Sequence, residues 1–336
     1  MSERLAILNS LRALAALMVC LYHAAFILGD ELPDVVRALD WGQEGVYVFF
    51  VISGLVMPLA LDKMNYRLRD FGNFMVKRII RLQPPLILSA AVMTFMSYHE
   101  LQKMEYSFLT FFVGSASLTA PILGIPFVND IYWTLFVEMQ FYLYIALVFP
   151  LLISRKPSTR WVFTLLILAF SSISVWVEDT WMKLLLPFHL PVFMMGYFLF
   201  LLKTDRIKTK EFLWGIGICT FCCAWLTGYC HNLGYRITGI AVLTTIVIAC
   251  SERGWSWLSK IGEYSYSLYL FHWLFIGVLA HTMRPYMNGA TGSVTLYLMT
   301  VFTCVVCTKA FYVVIEKPAL SWAKKFANSK ALSRQH

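Results

Sequence analysis

Residues 5–28 read LAILNSLRALAALMVCLYHAAFIL, and this stretch determines the class of fold. A helix that crosses a bilayer needs about 20 mostly apolar residues, and residues 5–28 supply them with one charged side chain, Arg12. A cleavable signal peptide has a shorter apolar region, of about 7–15 residues. We therefore expect this stretch to be a retained membrane-spanning helix.

The same kind of stretch recurs along the whole chain. Hydrophobic residues make up 59% of the 336 residues, charged residues make up 14%, and the mean hydropathy is +0.66. A soluble domain is about a quarter charged, and two soluble domains could not bury this much apolar surface. The composition excludes an ordinary soluble protein and predicts an all-α polytopic membrane protein.

Ten segments are long and apolar enough to be membrane helices. They are residues 5–28, 45–61, 79–96, 132–153, 161–177, 184–202, 212–230, 235–251, 264–283 and 293–315. A further apolar stretch, 108–127, is ambiguous because two glycines and two prolines interrupt it.

The basic residues decide between ten and eleven crossings, because cytoplasmic loops carry an excess of Lys and Arg. With ten crossings, Arg12 and Lys309 lie within spans, five basic residues lie on one side, and the remaining 21 of the 28 lie on the other. The five are Arg37, Lys103, Lys183, Arg236 and Arg284. If 108–127 crossed, every later loop would change sides and this asymmetry would be lost.

We therefore predict about ten transmembrane helices, both termini in the cytoplasm, and a re-entrant or interfacial segment near 108–127. We expect residues 1–318 to form a single membrane domain and residues 319–336 to form a basic cytoplasmic tail. The net charge of +9 does not indicate nucleic-acid binding, because the basic residues lie in short loops. The cysteines lie within or at the end of apolar stretches, so we expect neither a disulfide framework nor a bound metal.

Two ionisable residues share one face of the first predicted helix. Arg12 and His23 are eleven residues apart, which is three turns plus roughly 20° and about 16 Å along the axis. They cannot contact each other, but a long polar ligand could contact both. The alternative is that Arg12 reaches the inner interface and His23 is satisfied by a neighbour.

Glu138 is the only acidic residue inside a predicted span, in IYWTLFVEMQFYLY. Its depth from the outer side matches that of His23 to within a turn, and a carboxylate that orients an imidazole is a common acid–base arrangement. A structural ion pair between helices is the alternative. His272, in YSYSLYLFHW, lies near the middle of its span and could join the same polar group.

Three basic residues lie together at the cytoplasmic end of the third span, in VKRIIRLQPPL. Arg78 and Arg81 are one helical turn apart next to Lys77, a pattern that suits a phosphate ligand. The alternative is a topology anchor. We expect Pro84 and Pro85 to bend or restart the helix at this point. In the second span, we interpret the small residues Ser53 and Gly54 as packing residues.

Six motifs, taken in order, resemble the membrane acyltransferase-3 family over about residues 8–318. They are LNSLRALAALMVCLYH, GQEGVYVFFVISGLVM, KRIIRLQPPL, WTLFVEMQFYLY, IGEYSYSLYLFHW and IEKP. The family's signature of Arg, ten residues and His falls on Arg12 and His23, and its paired-Arg signature falls on Arg78 and Arg81. Its Trp-to-Glu segment begins at Trp133.

The resemblance implies a ten-helix domain that takes an acyl group, usually acetyl, from cytoplasmic acyl-CoA. The group passes to a hydroxyl of a cell-surface polysaccharide or its lipid-linked precursor, in the bacterial cytoplasmic (inner) membrane. The implied partners are acyl-CoA, the glycan acceptor and membrane lipids, with no permanently bound cofactor.

Combined with the positions above, the resemblance suggests a role for each candidate residue. His23 would act as general base or transiently carry the acyl group, and Glu138 would orient it. Arg12 would hold the pantetheine arm or polarise the carbonyl. The phosphates of coenzyme A would bind to Lys77, Arg78 and Arg81. The substrate would contact Trp133 and His272.

Three positions depart from the family pattern, namely Tyr47, Gln83 and Met139. These departures do not change the predicted reaction class. They leave undetermined which acyl group is transferred and which acceptor receives it. A proton-coupled transporter or flippase that uses His23 and Glu138 as a relay is the main alternative. A non-catalytic membrane sensor or assembly partner is the third.

Overall fold

A computed structural model describes residues 2–97, 107–154, 156–176, 184–230, 234–251 and 253–332. Within these ranges the chain is almost entirely helical and contains no β-strand. This confirms the predicted all-α class. Of the basic residues on which the topology prediction depends, Lys103, Arg155, Lys183 and Arg334 lie outside the described residues.

Fourteen α-helices occur in the described part of the chain, and we number them in order. They are α1 Ser2–Ala24, α2 Pro33–Leu39, α3 Gly45–Lys63, α4 Phe71–Met96, α5 Phe108–Ala116, α6 Tyr132–Leu152, α7 Pro157–Ser172, α8 Leu186–Lys203, α9 Thr209–Cys230, α10 Gly234–Cys250, α11 Ser256–Gly262, α12 Ser265–Met283, α13 Gly289–Phe311 and α14 Lys317–Leu332. A π-helical stretch, Tyr312–Glu316, joins α13 to α14.

Each of the ten predicted spans overlaps one of these helices. Among the described residues, eight helical stretches are long and apolar enough to cross a membrane, and α10 is a shorter apolar helix. Helix α12 is not among the eight, since serines, tyrosines and histidines lower its hydropathy. The polytopic membrane class is therefore confirmed, and the count of ten crossings stays a prediction.

The segment 108–127 does not form one continuous helix. Helix α5 ends at Ala116, and the short turn Ala120–Leu123 ends at Gly124 in the left-handed conformation, with φ +68°. The amide of Val128 then donates to Oγ of Ser115 at 3.0 Å, so the segment folds back on itself. A nine-residue helix is only about 14 Å long, too short to span a bilayer. This agrees with a re-entrant or interfacial segment.

Helix α4 is longer than predicted. It begins at Phe71 rather than near residue 79, and its helical conformation continues to Met96 through Pro84 and Pro85, which lack the N–H for a helical hydrogen bond. Of the two outcomes predicted for the prolines, a restart of the helix is therefore wrong, and a bend stays a prediction. The continuous helix places Lys77, Arg78 and Arg81 within its own first three turns.

The described chain divides into two compact units, of which the first contains residues up to Arg12, Glu44–Met75 and Thr134–Ser259. Helix α8 is its centre, and it packs against α3, α7, α9 and α10. Every residue of α8 from Phe188 to Leu201 is buried. The backbones of α3 and α8 touch, because a Cβ on Gly54 would lie 2.0 Å from the carbonyl oxygen of Phe193. The packing interpretation of Gly54 is therefore confirmed.

The second unit contains Ala13–Gln43, Val76–Trp133 and the chain from Lys260. Helices α12 and α13 pack along each other. Beyond α13, the buried carboxylate of Glu316 accepts hydrogen bonds from the amide of Ser267 at 3.1 Å and from its Oγ at 2.6 Å. The guanidinium of Arg284 donates to the carbonyl oxygen of Ile27, which ties the end of α12 to the segment after α1.

The predicted boundary between a membrane domain and a tail at residue 318 stays a prediction. Helix α14, Lys317–Leu332, runs across it without interruption.

Candidate active site

His23 and His272 lie side by side within the second unit. The centroids of their rings are 5.2 Å apart, and the ring planes are inclined by 33°. His23 is half-buried one residue before the end of α1, whereas His272 is fully buried in α12. The sequence predicted that His272 could join the polar group at His23, and the two rings are indeed adjacent.

One ring nitrogen of His272 is bound to its own helix. Its Nδ1 lies 3.2 Å from the carbonyl oxygen of Leu268. Because a carbonyl oxygen only accepts hydrogen bonds, Nδ1 carries the proton, and Nε2 of the neutral ring is an acceptor. Among the described residues this buried Nε2 has no hydrogen-bond partner.

The neighbouring residue, Trp273, supplies a donor beside His23. The ring centroids of His23 and Trp273 are 4.9 Å apart. The buried indole Nε1–H of Trp273 also lacks a hydrogen-bond partner within the described ranges. A buried acceptor and a buried donor therefore lie on two consecutive residues next to a half-buried imidazole. Polar atoms in such a position can bind the polar groups of a ligand.

Trp133 lies at the start of α6 in the same unit, half-buried. Its two predecessors are bonded to α12 and α4: Oη of Tyr269 in α12 donates to the carbonyl oxygen of Ile131 at 3.0 Å, and Oη of Tyr132 lies 2.7 Å from Oγ of Ser89 in α4. Oγ of Ser89 in turn donates to the carbonyl oxygen of Leu270 at 3.2 Å. These bonds fix the backbone next to Trp133 against the helix that carries His272.

Glu138 belongs to the first unit, where two hydroxyl groups hold its carboxylate. Oγ of Ser53 donates to Glu138 Oε1 at 2.9 Å, and Oη of Tyr142 donates to the same oxygen. His23 lies in the second unit, so the predicted pairing of Glu138 with His23 stays a prediction.

Arg12 is half-buried in α1, the same uninterrupted helix that contains His23. Lys77, Arg78 and Arg81 are half-buried in α4, and the helical conformation that their predicted alignment requires is present. The roles predicted for these four residues stay predictions.

Trp273, Tyr142 and the polar role of Ser53 were not predicted from the sequence. The spacing of Tyr142, one helical turn after Glu138, was a usable signal. Ser53 is 85 residues from Glu138, and no sequence pattern connects the two.

The comparisons with known proteins agree with this arrangement of motifs. A family model described as "Acyltransferase domain", of the acyltransferase-3 type, matches residues 5–310. The chain is 26% identical to the O-acetyltransferase OatA of Staphylococcus aureus (strain NCTC 8325 / PS 47), over 93% of this chain and 56% of OatA. The chain thus spans a little over half the length of this relative.

A second relative, from Komagataeibacter xylinus, is provisionally named as the membrane-bound transacylase BcsY. It is 23% identical over 95% of this chain and 83% of its own length. No solved structure matches the chain significantly. Since the family model covers nearly the whole chain, this polytopic membrane protein belongs to the acyltransferase-3 family.

Proposed function

We propose that this protein is a membrane O-acyltransferase that moves an acyl group, most simply acetyl, from cytoplasmic acyl-CoA to a hydroxyl of a cell-surface glycan or its lipid-linked precursor. Membership of an acyltransferase family supports the reaction class, and the names of OatA and BcsY support acetyl or acyl transfer. The observation that carries the proposal is the half-buried imidazole of His23 beside the buried Nε2 of His272.

His23 is the general base in this proposal. It accepts the proton of the acceptor hydroxyl while that oxygen attacks the thioester carbonyl. The carbon–sulfur bond then breaks, and the thiolate of coenzyme A takes the proton back from the imidazolium. The products are the acyl ester and free coenzyme A, so atoms and charge balance. General-base catalysis of this kind contributes about 10²–10⁴-fold to a rate.

A second hydroxyl of the glycan, next to the one that reacts at His23, binds between His272 and Trp273. A hydroxyl both donates and accepts, so this second hydroxyl can donate to Nε2 of His272 and accept from Nε1–H of Trp273, while the reacting hydroxyl keeps its proton for His23. Both atoms are buried, and a buried polar atom without a partner costs about 1–3 kcal/mol. Binding a hydroxyl at this point removes that cost. Trp133 provides a further contact to the substrate.

Arg78, Arg81 and Lys77 bind the phosphates of coenzyme A. Phosphate suits a paired arginine because a planar guanidinium binds two oxygens at once. The pantetheine arm runs past Arg12, which holds the arm or polarises the carbonyl, and it brings the thioester to His23. Glu138 orients the imidazole of His23 and stabilises its charged form. The protein lies in a bacterial cytoplasmic membrane with both termini in the cytoplasm.

Mass spectrometry of surface glycans tests the overall reaction, with cells that carry or lack the gene. We expect the mass increment of an acetyl group only where the gene is present. An unchanged glycan, together with no binding of coenzyme A by the purified protein, would contradict the proposal and favour a transporter. Inverted membrane vesicles given acetyl-CoA with a labelled acetyl group then provide the rate assay. This assay measures the coenzyme A that is released and the labelled acetyl group that is recovered in the extracted glycan and lipid-linked fractions.

A further inference from the structure

We infer that Ser53 and Tyr142 are positioning residues that fix the carboxylate of Glu138 through Oε1. The other oxygen, Oε2, is then the one that takes part in the transfer reaction. This inference rests on the proposed function, because it assigns Glu138 a part in the transfer reaction. Both hydroxyl groups donate to the same oxygen, Oε1. Neither bond uses Oε2, which can therefore accept from an imidazole or from a substrate group.

The two donors belong to two different helices. Tyr142 is four residues after Glu138, so both side chains lie on one face of α6. Ser53 reaches Glu138 from α3. A carboxylate held from its own helix and from a second helix cannot rotate freely about its terminal bond. The bonds are charge-assisted, and such bonds are roughly twice as strong as those between neutral groups.

The helices that carry these donors are packed rigidly around Glu138. The ring of Phe193 on α8 stacks on Phe141 of α6 at 4.0 Å and on Phe50 of α3 at 4.7 Å between centroids. The backbones of α3 and α8 touch at Gly54, the residue after Ser53. Close-packed interiors of this kind deform little. The position of Ser53 relative to α8, and of α8 relative to α6, is therefore fixed by side chains that do not react.

Burial makes the two hydroxyl bonds decisive for Glu138. Ser53 is 8% exposed and Tyr142 is 4% exposed, so bulk water does not replace a lost hydroxyl easily. A carboxylate that loses one donor is held by the other alone. It can then turn about that one bond, and turning moves Oε2 as well. We expect the transfer step to slow in such a variant while acyl-CoA binding is unchanged.

The test compares Tyr142→Phe with Tyr144→Phe in the vesicle assay. Both substitutions remove one hydroxyl from α6, but Oη of Tyr144 has no hydrogen-bond partner among the described residues. Tyr142→Phe should lower kcat about ten- to hundredfold, the value of one hydrogen bond to a charged group, with an unchanged KM for acetyl-CoA. Tyr144→Phe should match the wild type. Equal rates in the two variants would overturn the inference.

Ser53 is tested by replacement and rescue. Ser53→Ala should lower kcat to a similar extent, and Ser53→Thr should restore much of it because the hydroxyl is retained. If Thr is no better than Ala, while both proteins elute as monodisperse species with wild-type melting temperatures, the hydroxyl does not position Glu138.

A double-mutant cycle with Glu138→Gln separates this inference from the proposed function. If the hydroxyls act through Glu138, adding Tyr142→Phe to Glu138→Gln should lower kcat by less than about twofold further. Losses that multiply in full would overturn the positioning role. If Glu138→Gln alone keeps full activity, it is instead the proposed role of Glu138 in catalysis that fails.

Discussion

The imidazole rings of His23 and His272 lie 5.2 Å apart, although 249 positions of sequence separate the two residues. Only His272 is fully buried, and its Nδ1 is bound to its own helix. The two rings are therefore not equivalent. His23 is the more accessible ring and suits proton transfer, whereas His272 presents one fixed acceptor atom.

His23 should be essential for transfer. His23→Gln keeps hydrogen-bonding capacity and loses the base, so we expect kcat to fall by about 10²–10⁴-fold. Expression and membrane insertion should remain near normal, as should those of His23→Ala. The vesicle assay with labelled acetyl-CoA measures the effect. Full transfer activity in His23→Gln would make His23 a structural residue and would refute the mechanism.

His272 should affect acceptor use rather than donor binding. His272→Gln removes the ring acceptor from a buried position, and we expect about a tenfold or greater loss of kcat/KM for the acceptor. The KM for acetyl-CoA should change little. His281→Gln on the same helix is the matched control, because His281 is exposed and lies outside the candidate site. Equal behaviour of the two variants would remove His272 from the site.

The paired arginines of α4 should determine affinity for coenzyme A. Replacing Arg78 and Arg81 with Ala should weaken binding, and the wild-type affinity should fall as salt concentration rises. Lys replacements should rescue only part of the affinity, since an ammonium group lacks the two-pronged geometry. Calorimetry with coenzyme A in detergent measures both effects. An unchanged Kd in the double-Ala variant would leave the pair as a topology anchor.

The ten-crossing topology makes a prediction about three exposed positions. Lys63 and Lys210 should lie on the cytoplasmic side, and Tyr286 should lie outside. Single cysteines at these positions, in a chain without its native cysteines, report the side through a membrane-impermeant thiol reagent. If 108–127 crosses the bilayer, position 210 is labelled from outside and position 63 is not.

The contact between α3 and α8 should tolerate no added methyl group. A Cβ on Gly54 or Gly196 would lie 2.0 or 2.1 Å from a backbone carbonyl oxygen, and backbone cannot move as cheaply as a side chain. Gly54→Ala should destabilise the protein by about 1–3 kcal/mol, seen as a lower melting temperature in detergent. Gly217→Ala is the control, because no heavy atom lies within 4 Å of its added Cβ. A wild-type melting temperature for Gly54→Ala would contradict the backbone contact.

The sequence by itself determined the class of the protein and ten of its fourteen described helices. Apolar stretches of about 20 residues have one stable form in a bilayer, the helix, because unpaired backbone groups are costly there. For this reason the ten predicted segments all became helices, and the interrupted stretch 108–127 did not become a single one. The motifs that resemble the acyltransferase-3 family also indicated the candidate residues, since each motif is local in sequence.

Only the tertiary structure decided which side chains meet. Helix α4 continues through Pro84 and Pro85 against the local preference of proline. The bonds from Ser53 to Glu138, and the contact of His23 with His272 and Trp273, join segments far apart in the chain. Helical periodicity fixes which residues share a face of one helix, but it does not fix which face of another helix lies opposite. That choice comes from packing, such as the contact between the backbones at Gly54 and Phe193.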